Sequence, residues 1–466
     1  MNAFNTQIIT RSLIIITYLI LVLEFFENEL IILSLSLIIL SADIILRKKV
    51  FKFFNKYNYG LVFYVTAVVL LYFLLKNNYK WIFIYAISVI TLSNLIASIV
   101  ESYFAKKYFI IASQKKTQSG SLSFFLSTFL LMLIFGFIFL ENPEVFHVNK
   151  SILNEQNIFL SAFIISIITT LNKLILSKGI DYFSGLFITA VLLYTFFITE
   201  NNWLIQNFLI GVILACLVAT MSYKIGFLTL SGSVATFLLA SFIFGFGHLK
   251  WSVPILTFFV LSSLLSKIRN KRDKTVNIYF EKSDVRDHLQ VLANGLIGGI
   301  LVILYVILEN EILYLVYISS LSAVCADTWA TETGTLTKIK TYNILNLKPT
   351  EQGTSGGVSI IGILGGISGS IIIALTGIYW VDIIPFVFLS LIIFSGLVGN
   401  LTDSILGATL QIQYECPVCN KITEKKLHCS STTRYFKGIS WINNDTVNFL
   451  AGISGSITFL ILYSLY

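Results

Sequence analysis

Apolar runs close to the ~20 residues that carry a helix across a hydrocarbon core recur along this chain, and they leave few ways to fold it. "SLIIITYLILVLEFF" and "IILSLSLIILSADIIL" open the series. In lipid a backbone must satisfy its own hydrogen bonds, so each run is expected to be a helix. A barrel strand would alternate apolar and polar residues, and these runs do not. Hydrophobic residues make up 56% of the 466 positions and charged ones 12%, against about 25% charged in soluble domains. The expectation is an all-α polytopic transmembrane protein of about 15 helices. Arg11 precedes the first run, but no small-residue cleavage site follows it, so no cleavable signal peptide is expected.

The charges sit between the runs. Basic loops at 47–58, 101–117, 267–288, 338–348 and 421–437 alternate with poorly basic ones at 27–29, 141–149, 199–202, 309–311 and 377–382. Positive loops mark the cytoplasmic side. The N-terminus and every long polar loop are therefore expected in the cytoplasm and the C-terminus outside, with the chain in a bacterial cytoplasmic membrane. These loops hold most of the Lys and Arg behind the net charge of +8, so no nucleic-acid partner is expected. Cys216 and Cys325 fall in apolar runs and read as small core residues.

Two stretches share their punctuation. Asn94, Lys115 and Gly120 follow one another at the spacing of Asp327, Lys348 and Gly353: 21 positions to the lysine and 26 to the glycine in each case. This spacing predicts two tandem parallel repeats of about seven helices, joined by one extra span near 203–222. The corresponding domains are 1–202 and 203–466. The halves differ in charge. Asn94 stands opposite Asp327 and Asn172 opposite Asp403, while Asp181 has an acidic counterpart in Asp445. A side-chain amide brings no charge to Mg²⁺, so metal-dependent chemistry is expected in the second half alone.

Asp327 lies near the end of "YISSLSAVCADTWATETG", where a carboxylate is costly and seldom incidental. Glu332, five residues on, reads equally well as a solvated helix end. In "LKPTEQGTSGGVSIIGILGG", the residues Gly353, Thr354, Ser355, Gly356 and Gly357 can turn backbone N–H groups toward one anion, and a helix start beyond them points its positive end the same way. Lys348 adds a cation. Gly362, Gly365, Gly366 and Gly369 read as helix-packing residues. Asn400 and Asp403 lie three apart on one helical face, and Asn443, Asn444, Asp445 and Asn448 precede the last run. Such oxygen donors suit Mg²⁺ and nucleotide phosphates. Arg286, Gln290 and Asn294 are candidates for gripping a substrate phosphate. Cys416, Cys419, His428 and Cys429 could bind a structural Zn²⁺, although adjacent ligands are an unusual spacing, and a disulfide is not expected in a cytoplasmic loop.

At these residues the chain from about 205 to its end resembles the integral-membrane family that contains phytyl-phosphate kinase and transmembrane protein nineteen. The stretches are "LTLSGSVATF", "RDHLQVLANG", "ADTWATETG", "GTSGGVS", "GNLTDSILGATLQ" and "NNDTVNF", in order. The first half more faintly resembles phytol and dolichol kinases through "NLIASIVESYFAKKYF", "KKTQSGSLSFFLSTF" and "GIDYFSGLF". A Gly-Asp pair in those kinases is Ser93-Asn94 here, so this domain is read as degenerate. Both families are similar to CTP-using phosphatidate cytidylyltransferases.

The resemblance implies transfer of a phosphoryl group from a nucleoside triphosphate, CTP in the first instance, to an isoprenyl monophosphate held in the bilayer. Phosphoryl transfer needs positioning and charge neutralisation. Asp327, Asp403 and Asp445 are expected to hold Mg²⁺. Lys348 and residues 353–357 are expected to hold the triphosphate with Asn400 and Asn444, and Arg286 with Asn294 the acceptor phosphate. A cytidylyltransferase forming a CDP-lipid is the first alternative, and a transporter of phosphorylated lipids the second.

Overall fold

A computed structural model of the protein describes residues 28, 29, 31–37, 60–146, 148, 152–199, 204–272, 285–336, 339–381 and 385–466. Most of the two runs that open the sequence lies outside these residues. Backbone packing divides the chain into two units, Met1–Leu209 and Ile210–Tyr466.

The first unit holds α1 (Gly60–Leu75), α2 (Lys80–Phe104), a hairpin of β1 (Tyr108–Ile111) and β2 (Gln114–Thr117), α3 (Gln118–Glu141), α4 (Glu155–Ile175) and α5 (Ile180–Phe197). Helix α6 (Leu204–Ile225) carries the boundary between the units. The second unit continues with α7 (Leu230–Arg272), α8 (His288–Leu308), α9 (Ile312–Gly334), α10 (Ile360–Ile378), α11 (Pro385–Thr409) and α12 (Asn444–Leu465). Among the described residues, 11 helices are long and apolar enough to cross a membrane, and α1 is a shorter apolar helix. The protein is thus a polytopic helical membrane protein, as its hydropathy predicts. Short strands interrupt the loops: β3 (Thr341–Asn343), β4 (Pro349–Thr350) and β5 (Gly357–Val358) form one sheet. After α11 come β6 (Gln413–Glu415), β7 (Ile422–Thr423), β8 (Leu427–His428), β9 (Ser431–Thr432) and β10 (Arg434–Lys437).

Helix α7 is a hairpin of two legs. With 43 residues it would be about twice the length of a crossing. It breaks at His248, whose φ of 51° and ψ of −153° are not helical. The two ends come back together: Lys267 Nζ donates to the carbonyl of Ile225 at 2.7 Å and lies 4.4 Å from the Phe227 ring. At the turn, Trp251 is fully buried against Tyr317, with ring centroids 4.6 Å apart and stacked, and its carbonyl accepts from Tyr317 Oη at 2.8 Å.

Helix α9 forms the centre of the second unit. Tyr314 to Ala326 are buried without a break, which a membrane helix achieves only when neighbours surround it. Small residues on those neighbours let the backbones approach closely. A Cβ added to Gly365 of α10 would fall 1.9 Å from Thr333 Oγ1, and one on Gly369 would fall 3.0 Å from the Cys325 carbonyl oxygen. The glycines of α10 are therefore the packing residues that their spacing predicts. Gly399 of α11 and Gly455 of α12 pack on Ala323 in the same way. Cys325 is buried as expected. Cys216 is exposed on α6, a correction to its reading as a core residue. An apolar run in lipid does not need an inner face, so hydropathy alone could not separate the two.

Candidate active site

At one end of the second unit the ends of α9 and α11 and the starts of α8, α10 and α12 enclose a polar cavity of about 230 Å³. Three aspartates line it, each from a different helix. Asp327 lies two turns before the end of α9, Asp403 occupies a similar depth in α11, and Asp445 is in the first turn of α12. The side chains of Asp327 and Asp403 stand within hydrogen-bonding reach of each other. Amide side chains surround them. Asn400 and Asn444 line the cavity, and Asn448 Nδ2 lies 3.4 Å from Asn294 Oδ1. With its amide turned the other way, Asn448 donates instead to Asp403 Oδ2 at 3.1 Å and to the Asn444 carbonyl at 3.2 Å. Asn443, just outside, caps α12 by accepting from the Thr446 N–H at 3.1 Å. The residues predicted from three separate sequence stretches thus converge on one space.

Arg286 is buried in the wall of this cavity. Its backbone is clamped by "FLTLSGS": Arg286 N donates to the Phe227 carbonyl and Thr229 N to the Arg286 carbonyl, each at 3.0 Å. Gly232 permits the approach, since a Cβ there would sit 2.2 Å from that carbonyl oxygen. The guanidinium lies 5.4 and 5.7 Å from the rings of Phe258 and Phe259. Burial lowers its pKa, with the Glu332 carboxylate pulling the other way. A second, apolar cleft adjoins at this point. Arg286, Gln290 and Asn294 line both spaces, and the cleft continues between Phe244, Leu256, Phe258 and their neighbours on α6, α7 and α8.

Sequence reasoning missed the second buried cation. Arg269 belongs to the run "KIRNKR", which reads as topology-setting charge, yet it is 3% exposed and its Nε lies 3.2 Å from Glu332 Oε2. Ser266 Oγ donates to Glu332 Oε1 at 2.6 Å. Glu332 is therefore not a solvated helix end but half of a buried ion pair in the cavity wall.

The glycine-rich stretch is a compact loop. Gly353, Thr354, Ser355, Gly356 and Gly357 all line the cavity, with Ser359 and Gly362 at the start of α10. Two of its amides close turns instead of facing an anion: Thr354 N donates to the Glu351 carbonyl at 3.3 Å and Gly357 N to the Thr354 carbonyl at 2.9 Å. Gly356 has φ of 80° and rests on Ala408. The expected row of five amides is thus shorter than the sequence suggests. Ser355 Oγ donates to Glu424 Oε1 at 2.8 Å, a carboxylate from the cysteine-bearing loop that sequence reasoning did not single out. Lys348 is not brought in. It is exposed in the turn between β3 and β4, outside the cavity lining.

In the first unit the positions that the spacing pairs with Asp327 and Asp403 are Asn94 and Asn172, which carry no charge. Lys173 Nζ donates to Asn94 Oδ1 at 2.5 Å and lies 4.3 Å from the Phe124 ring. Asn172 Oδ1 accepts from Ser184 Oγ at 3.0 Å. The equal spacing of Gly120 and Gly353 does not reflect equal roles. Gly120 is in the first turn of α3, where its N–H is capped by Thr117 Oγ1, the role that Gly362 plays with Ser359 in α10. The second unit has a longer loop before that helix, so Gly353 falls inside the loop instead.

The fold and this cavity define a polytopic membrane protein with an acidic, amide-rich site at one membrane face. The chain belongs to the integral membrane protein DUF92 family, whose profile matches residues 213–456. It is similar to Protein PGR of Arabidopsis thaliana, 30% identical over 52% of this chain and 91% of that one. It is also similar to an uncharacterized membrane protein, MJ0933, of Methanocaldococcus jannaschii, 29% identical over 54% of this chain and 93% of that one. Protein VTE6, chloroplastic, of Arabidopsis thaliana is 23% identical over 50% and 65%. No solved structure matches the chain.

Proposed function

We propose that the second unit is a membrane phosphotransferase that moves a phosphoryl group from a nucleoside triphosphate, CTP in the first instance, to an isoprenyl monophosphate of the phytyl type. The observation that carries this reading is the sharing of Arg286 between a polar cavity and an apolar cleft. A molecule with a phosphate head and a single hydrocarbon tail would have its head at the guanidinium and its tail between α6, α7 and α8. The resemblance to the phytyl-phosphate kinase family implies the same class of acceptor.

The donor set fits a divalent cation. Two carboxylates in contact repel unless a proton or a cation lies between them, and carboxylate and amide oxygens with no nitrogen or sulfur ligand suit Mg²⁺. Asp327 and Asp403 would hold it, with Asp445 and Asn400 beside them. When bound, the ion would supply charge neutralisation to the phosphates of the nucleotide. The start of α10 and the 353–357 loop would hold those phosphates through backbone N–H groups and the helix dipole. Arg286 would orient the acceptor phosphate, which is itself nucleophilic at neutral pH, so no separate general base is needed. The first unit, with Lys173 against Asn94, would take no part in the transfer. The cavity face is proposed to be cytoplasmic, where nucleotides are.

The test is an assay of purified protein in vesicles with CTP, labelled on different phosphates, and a panel of isoprenyl monophosphates. Labelled isoprenyl diphosphate with release of CDP is the expected result. Release of pyrophosphate with a CDP-lipid would make the protein a cytidylyltransferase, and lipid-phosphate flux without nucleotide would make it a transporter.

A further inference from the structure

We propose that residues 413–437 form a zinc-binding module, and that the ion fixes the loop that bears Glu424 and so braces the glycine-rich loop of the cavity. The ligand atoms of Cys416, Cys419, His428 and Cys429 all lie within 4.8 Å of one another. Cys419 Sγ is 3.5 Å and Cys429 Sγ 3.3 Å from His428 Nδ1. Tetrahedral zinc with thiolate and imidazole ligands would hold such atoms roughly 3.5 to 3.8 Å apart.

Two features of the backbone favour an ion over a chance gathering of thiols. The first is the turn at Cys416–Asn420. Cys416 N donates to the Lys421 carbonyl at 3.0 Å and Asn420 N to the Cys416 carbonyl at 2.9 Å, and the amides of Cys419 and Val418 point at Cys416 Sγ. Backbone N–H groups aimed at a cysteine sulfur favour the thiolate, which is the metal-binding form. The second is the hairpin of β8 and β9. Its two-residue turn is Cys429–Ser430, with φ of 49° and 58°. Turns of this kind favour Asn-Gly, and a non-glycine residue in this region costs about 1 kcal/mol or more and persists only where its surroundings fix it. The same turn folds Cys429 back beside His428, which answers how adjacent residues reach one ion.

The module is fastened to the cavity. Glu424, just after β7, accepts from Ser355 Oγ at 2.8 Å and from Gln411 Nε2 at 2.7 Å. Lys421 Nζ lies 3.7 Å from Glu351 Oε2, at the head of the glycine-rich loop, and Lys437 Nζ donates to the Ala408 carbonyl at 2.7 Å. A loop of this length with almost no apolar core needs a staple to hold such a position, and metal ligation supplies one. Bracing matters only in so far as the cavity binds phosphates, as proposed above, whereas the zinc site itself is independent of that reading.

Full-length protein, purified in detergent without chelator, should contain one zinc per chain by elemental mass spectrometry. Cys419→Ser and Cys429→Ser should each lose most of it. Replacement with Co²⁺ should give the visible bands of a tetrahedral thiolate site. Trypsin should cut at Lys425 and Lys426 only after zinc is stripped, and added Zn²⁺, but not Mg²⁺, should restore protection. Glu424→Gln should keep its zinc while amide hydrogen exchange in 351–358 quickens several-fold, as it should in stripped wild type. Substoichiometric metal with an unchanged tryptic pattern, or a mass two hydrogens lower showing a Cys416–Cys419 disulfide, would overturn the site. Unchanged exchange in 351–358 on stripping would overturn the brace. These readouts need no lipid substrate, so they fail separately from the phosphotransferase reading.

Discussion

Asp327 of α9 and Asp403 of α11 bring their carboxyl groups within hydrogen-bonding reach of each other, inside a wall that also carries Asp445. Two like charges so close destabilise the folded protein until something positive joins them. Asp403→Asn is therefore expected to raise the melting temperature in EDTA, by an amount equivalent to about 1 kcal/mol. Mg²⁺ should raise the melting temperature of the wild type through linkage, and Asp327→Asn and Asp403→Asn should abolish that response. Both should lower transfer at least about a hundredfold. A full Mg²⁺ response in either variant would remove these residues from the ion site.

Arg286 should tell the two substrates apart. Its guanidinium rests against Phe258 and Phe259 and faces both spaces. A lysine keeps the charge but not the fork geometry or the stacking. Arg286→Lys is expected to raise KM for the lipid phosphate about ten- to a hundredfold, the value of a charge-assisted hydrogen bond, while KM for the nucleotide changes little. Equal rises in both would move Arg286 to the nucleotide.

The Arg269–Glu332 pair is a stability element. Removing one partner of a buried ion pair leaves the other charged and uncompensated, at a cost of about 3–5 kcal/mol. Glu332→Gln should show most of that loss in unfolding titrations. The double change Arg269→Met with Glu332→Leu should recover much of it, because an apolar pair of similar volume often replaces a buried ion pair without loss. A double variant as unstable as the single one would mean that the ion pair positions something further.

At the opposite end of the second unit, Glu311 accepts from Tyr305 Oη at 2.8 Å and pairs with Lys250. Burial pushes its carboxyl up, but the lysine and the tyrosine hydroxyl outweigh that and hold it below the ordinary carboxylate value. A depressed carboxylate stabilises the fold above its unfolded pKa, about 4.3, and the benefit disappears as pH falls through the folded value. Because the glutamate is largely exposed, the effect is at most about 1 kcal/mol. Wild type should melt slightly above Glu311→Gln at neutral pH, and the two curves should merge under strong acidification.

Much of the site was legible because its parts are unusual for their surroundings. Carboxylates at 327 and 403 interrupt apolar runs, and the 353–357 glycines break a helical pattern, so each stands out in one dimension. Lys348 and Arg269 failed for a common reason: both belong to short basic runs whose ordinary role is topology, and nothing in such a run marks which residue turns inward. Lys348 ends exposed in the β3–β4 turn, while the second leg of α7 carries Arg269 in. The matched offsets of Gly120 and Gly353 were a different failure. Spacing measures chain length, and the loop before α10 is longer than the loop before α3. Glu424 was hidden among cysteines that drew attention to themselves.

An acceptor held at Arg286 would meet its donor at a phase boundary. One reactant would be counted in moles per litre of water and the other as a mole fraction of the bilayer. Diluting the lipid acceptor with inert phospholipid would then slow the reaction at constant bulk concentration, while diluting whole vesicles with buffer would not. The product, still anchored by its chain, would leave sideways into the membrane, ready for an enzyme that works in the same two dimensions.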